Sequence, residues 1–130
     1  MLRLKVVKDR LAAAANRAGR LTQEVTLVTV SKNFVASDIR PLLHEGQRVF
    51  GENRVQEAMG KWPALKDDYR DVELHLIGPL QSNKTAEAVS LFDVIQTVDR
   101  EKIATAISTE TKKQNRKNEM KGGERYKLVI

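Results

Sequence analysis

The stretch Thr26-Leu27-Val28-Thr29-Val30 is apolar or β-branched throughout and ends abruptly in Ser31 and Lys32. A primary amine at the end of an apolar run suits one kind of chemistry. Withdrawn from water, the charged form is disfavoured, the pKa falls, and the neutral nucleophile required for Schiff-base formation becomes available. The competing reading is a rim lysine that reaches for solvent or pairs with Glu52. Pattern alone leaves both open.

Other chemical groups are sparse. His75 sits inside an apolar stretch, on the same strand face as Ile77 and opposite Leu74 and Leu76. A lone strand histidine is more often a satisfied packing residue than a catalyst. His44 is its only companion and falls on a helix, so no metal cluster is expected. Ser31 lacks a partner base, and neither G-x-S-x-G nor a phosphate-binding G-x-x-x-x-G-K-[ST] occurs. Glu52 and Glu57 are close in sequence, but nothing sets them across a cleft. Asn53, after Gly51-Glu52, is either a helix cap or a ligand contact.

These residues must be positioned by a regular framework. Helical periodicity covers residues 2–18, with Gly19 as the terminating cap. A strand at 26–30 follows, then a helix capped by Ser37 and closing near Gly46, with Pro41 in its first turn. A short strand, Arg48-Val49-Phe50, leads into Gly51-Glu52-Asn53 and a helix to about Gly60; Pro63 and Asp67-Asp68 mark a loop. The remaining elements are a strand at 72–77, a Gly78-Pro79 turn, a helix from Ser82 or Asn83, a strand at 94–98, an Asp99-capped helix to about Asn115, and a last strand at Tyr126–Ile130. Strands beginning near 26, 48, 72 and 94 recur every 22 to 24 residues, the period of a βα unit. The expectation is an α/β fold with a parallel sheet. The first βα turn has no G-x-G-x-x-G, which disfavours a doubly wound dinucleotide fold. A (β/α) barrel fits better, but a complete one takes about 250 residues. This chain of 130 residues reads as a single domain, an incomplete barrel of about five strands.

Composition narrows the class further. With 41% hydrophobic and 31% charged residues the chain is globular, and no apolar run approaches the roughly 20 residues of a membrane span. Lys5, Lys8, Asp9 and Arg10 interrupt any secretory apolar segment, and cysteine is absent, so a cytoplasmic location is expected. The net charge of +6 is uneven: residues 1–20 and 111–127 each carry +5, and the middle carries −4. A nucleic-acid-binding domain places its basic stripe on the binding fold, interleaved with aromatics. Here the basic excess lies at the ends and aromatics are 5%, so neither nucleic acid nor membrane is an expected partner.

Four motifs in order resemble one family: Val28-Thr29-Val30-Ser31-Lys32, Phe50-Gly51-Glu52-Asn53-Arg54-Val55-Gln56-Glu57, His75-Leu76-Ile77-Gly78-Pro79-Leu80-Gln81-Ser82-Asn83-Lys84, and Val98-Asp99. Together with Ala18-Gly19-Arg20 they are similar to the pyridoxal phosphate (PLP) homeostasis proteins, relatives of the alanine racemase barrel. The resemblance covers about residues 8–115. It implies a fold-type III PLP site in a (β/α) barrel, with Lys32 forming the Schiff base, Asn53 lining the cofactor and His75 near its ring. It implies a PLP carrier and regulator of vitamin B6 balance without established catalysis, largely monomeric, with PLP-dependent enzymes as possible recipients. Racemase relatives need a second domain and a tyrosine acid/base, and this chain matches neither.

In that family the cofactor phosphate is held on later strands, so the resemblance places the phosphate-binding segment outside these residues. Without a backbone cradle or an arginine, binding through Lys32 is expected to weaken or fail. A half-barrel would also expose strand edges and favour self-association or a complementary fragment. A Schiff-base enzyme of racemase or aldolase type, and a non-catalytic interaction domain, are the alternative readings.

Overall fold

The structure, a computed structural model, describes residues 2–114, 119–120 and 128–129. Helices and strands alternate. Helix α1 (Leu2–Arg17) precedes β1 (Leu27–Val30), α2 (Ala36–His44) and β2 (Val49–Glu52). Two helices follow, α3 (Val55–Met59) and α4 (Trp62–Asp68), then β3 (Glu73–Leu76), α5 (Thr85–Leu91), β4 (Val94–Ile95) and α6 (Glu101–Lys113). Two short strands, β5 (Glu119–Met120) and β6 (Leu128–Val129), complete the sheet.

Glycine ends the first two helices as expected. Gly19 has φ +70 and Gly46 φ +104, a region costly for side chains bearing a Cβ. Arg20 N–H donates to Ala15 O at 2.9 Å and Gly19 N–H to Asn16 O at 3.1 Å, the paired bonds of a Schellman stop. Gln47 and Gly46 repeat the arrangement on Leu42 and Leu43. Helix starts differ from expectation. Ser37 lies inside the first turn of α2, whose cap position is Val35; Arg100, not Asp99, occupies the cap of α6; neither cap makes a side-chain bond. The Asp99 carboxylate instead accepts from Arg100 at 2.8 Å. The expected loop around Pro63 is helix α4. Pro63 falls in its first turn, where the missing N–H costs nothing, and Trp62 and Leu65 are buried beneath it.

All strand pairs are parallel, in the order β5-β4-β3-β2-β1-β6. The final strand thus lies beside β1, on the edge opposite β4, whose neighbour is β5. Of the strand expected at 126–130, Leu128 and Val129 pair with Leu27 and Val28; positions 126, 127 and 130 lie outside the described residues. Among the described residues the sheet is open, with β5 and β6 as its edges, and has six strands where about five were expected, an arrangement compatible with an incomplete barrel.

The strands alternate as a sheet with two distinct faces requires. Phe50, Leu74, Leu76 and Ile95 join Ile39, Leu43, Trp62, Leu65, Ile103 and Ile107 in one buried cluster under the helices. On the other face a Cβ at Gly51 would touch Val28 Cγ1 and Ile77 Cδ1 at 3.1 Å each. That row runs Val30, Gly51, His75, Val94 across four strands.

Candidate functional site

The carboxyl ends of β1 and β2 bring Lys32 and Asn53 to neighbouring loops on one rim, while His75 lies inside β3, the next strand. Ladder bonding of β1 ends where Ser31 N–H donates to Gly51 O at 3.0 Å. A reverse turn follows at once, closed by Phe34 N–H donating to Ser31 O at 3.2 Å. Lys32 is the second residue of that turn. Asn33, the third, has φ +66, as a type II turn demands and asparagine tolerates. The turn lifts Lys32 off the strand, so its side chain is exposed rather than withdrawn from water. Among the described residues it makes no hydrogen bond or ion pair.

Glu52, the expected alternative partner of Lys32, is engaged elsewhere. It is 0% exposed and accepts from Ser31 Oγ and from Trp62 Nε1 at 3.0 Å, and lies 3.0 Å from Lys61 Nζ. The Lys61 ammonium also donates to Ser31 O at 2.8 Å, Phe34 O at 2.7 Å and Glu57 Oε2 at 3.0 Å. Glu57 in turn accepts Asn33 N–H at 2.6 Å. One buried lysine and two glutamates therefore hold both ends and the middle of the turn that presents Lys32. The Lys61 hydrogen bond pulls the Glu57 carboxyl below its ordinary range, against a desolvation that pushes it up; the Asn33 amide and the charges of Lys61 and Arg54 add to the lowering. Phe50 packs against Trp62 with ring centroids 5.1 Å apart, seating the network on the core.

Lys61 and Trp62 were not among the expected site residues. The Glu57–Lys61 spacing of four was legible as a helical ion pair, although here it spans the break between α3 and α4. What no local pattern encodes is that Glu52, from a strand, joins them.

Asn53 follows β2 directly, on the rim. Its backbone is approached so closely by Gly78, after β3, that a Cβ there would overlap the Asn53 carbonyl oxygen and stand 2.9 Å from its Cα. Glycine is thus what allows the second and third βα loops to touch. His75 lies deeper, two residues or about 7 Å below the Ile77 level. It is fully buried, with Nδ1 2.8 Å from Gln96 Nε2 and Nε2 3.2 Å from Glu73 Oε1. Two cavities border the rim residues. One of about 550 Å³ is walled by Leu4, Val7, Leu27 and Leu42 and bordered by Lys32. The other, of about 450 Å³, opens between the second and third βα loops beside Asn53.

The chain is similar to the pyridoxal phosphate homeostasis protein of Escherichia coli K12, 44% identical over 106 residues that make up 81% of this chain and 45% of the relative. The protein of the same name from Aquifex aeolicus is 39% identical over 113 residues, 87% of this chain and 49% of its own. Both are named for homeostasis and not for a catalysed reaction. Among solved structures, PipY of Synechococcus elongatus PCC7942 with PLP bound superposes with a TM-score of 0.72 at 40% identity, over 85% of this chain and 51% of PipY. A Bifidobacterium adolescentis protein of unknown function gives 0.83 at 28% identity, over 97% and 57%. No family model matches the chain. In sequence and in fold the chain is similar to the pyridoxal phosphate homeostasis proteins, and it spans about half the length of the curated relatives it matches.

Proposed function

We propose that this chain is part of a cytoplasmic PLP-binding protein of vitamin B6 homeostasis and that Lys32 holds the cofactor covalently as a Schiff base. The observation that carries the reading is an exposed amine without a partner among the described residues, on a turn locked by the Glu52–Lys61–Glu57 cluster. A PLP-bound relative of the same fold supports it. When bound, the cofactor supplies an aldehyde that condenses with an amine and releases water. The chain supplies that amine and holds its backbone still, so that condensation costs little ordering of the loop. Asn53 stands on the same rim and would meet the cofactor's polar edge. His75, buried with Nδ1 hydrogen-bonded to Gln96, lies beneath the site on the next strand, where it would stand near the cofactor ring. The reading is that of a carrier, with PLP-dependent enzymes as recipients, and not of a racemase or aldolase.

The test is spectroscopic. Adding PLP to the chain gives a Schiff-base absorption band that borohydride makes permanent and that places the label on Lys32. Lys32→Ala abolishes the band. An unchanged spectrum in Lys32→Ala refutes the assignment, and racemisation of amino acids by the loaded protein refutes the carrier reading.

A further inference from the structure

The cavity beside Asn53 has a chemistry of its own. It lies between the loops after β2 and β3, which the close approach of Gly78 to Asn53 fixes relative to each other. Two cations line it, Arg54 and Lys84, together with the amides of Asn53, Gln56 and Gln81 and the ring of Pro79; no carboxylate does. Lys84 Nζ donates to Gln56 Oε1 at 3.0 Å, which holds the ammonium in place and leaves two of its three N–H groups to bind. Arg54 has no ion pair among the described residues. Glu57, whose carboxyl it helps to lower, is itself bonded to Lys61 and Asn33. A guanidinium, an ammonium and three amide-bearing residues around a volume of about 450 Å³, with no carboxylate in its lining, form a receptor for a compact oxyanion of high charge.

We propose that this pocket binds a phosphate-class dianion, either free phosphate or the phosphate group of a small metabolite, at a place separate from the Lys32 amine. The pocket does not depend on the Schiff-base reading, because none of its charged groups is Lys32. Phosphate oxygens accept from the Arg54 guanidinium and the Lys84 ammonium, and the Gln81 and Asn53 amides complete the shell.

Inorganic phosphate is titrated into the full chain at low salt, followed by calorimetry and by backbone amide NMR shifts. The expected result is saturable binding with the largest shifts at Asn53, Arg54 and Gln81. Arg54→Gln and Lys84→Gln each weaken it at least tenfold, while Lys32→Ala leaves it unchanged. Both substituted residues line a solvent-open pocket, and an unaltered far-UV circular dichroism spectrum checks that the variants fold. Repeating the titration with PLP on Lys32→Ala separates the two sources: binding tighter than that of phosphate identifies a phosphorylated metabolite, equal binding identifies the free anion. Absent binding overturns the proposal. So does binding that persists in the Arg54→Gln/Lys84→Gln double variant or disappears in Lys32→Ala.

Discussion

At the scale of single residues, the decisive group is Lys61 rather than Lys32. Its ammonium is nearly buried beside a Glu52 carboxylate that is wholly so, and four oxygens surround it. Removing one partner of a buried ion pair leaves the other charged and unpaired, which costs about 3–5 kcal/mol. Lys61→Met is expected to lose stability on that order in urea, with the buried Trp62 as fluorescent reporter. The double variant Glu52→Leu/Lys61→Met should recover most of it, since the fully buried charge is removed and only the part-exposed Glu57 loses its partner. A double variant as unstable as the single one would show that packing, not charge, dominates. Glu57 provides the pH dependence. Its folded-state pKa lies below the ordinary 4.5, so its contribution is complete above that value and lost as pH falls through the lower folded-state value. Stability should therefore fall less steeply with decreasing pH in Glu57→Gln than in the parent chain; identical pH dependences would refute the linkage.

At the scale of elements, the site depends on loops touching across neighbouring strands. The third βα loop meets the second only because Gly78 lacks a Cβ. Gly78→Ala should cost about 1–3 kcal/mol by overpacking and move the Asn53 amide resonance. Gly60→Ala is the control: its nearest neighbour, Glu57 O, would be 3.5 Å away, and its backbone is right-handed, so stability should hold or rise slightly. Equal effects of the two would show that the loops do not touch as described. The glycine stops after α1 and α2, the apolar strands and the βα order were readable from local pattern, because each follows from spacing or from a residue's own backbone preference. Helix α4 was not, because Pro63 and two aspartates read as a loop until Trp62 and Leu65 find a core to enter.

At the scale of the whole molecule, six parallel strands form an open sheet whose edges are β5 and β6. Leu21, Phe34 and Val35 stand more than half exposed, the last two on the loop that follows Lys32. Open edges and apolar loop residues favour association. Light scattering is expected to give a mass above the monomer that rises with concentration. A constant monomer mass with cooperative unfolding would contradict it.

The α/β class, the parallel βα repeat, the likeness to one family and the strand ends at which Lys32 and Asn53 stand, with His75 inside the third strand, were legible along the chain, because strand composition and motif order carry that information locally. The surroundings of those residues come from the packing of distant segments. Lys32 is exposed because a turn begins as soon as β1's ladder ends, and the charge expected to hold it, Glu52, points to the helix side with Lys61 and Trp62. His75 is fully buried, with Nδ1 hydrogen-bonded to Gln96 just past the next strand and Nε2 3.2 Å from Glu73 on its own. Contacts between residues 9 to 30 positions apart, such as Glu52–Lys61 and Ser31–Lys61, depend on how strands and helices pack, and no periodicity along the chain records them.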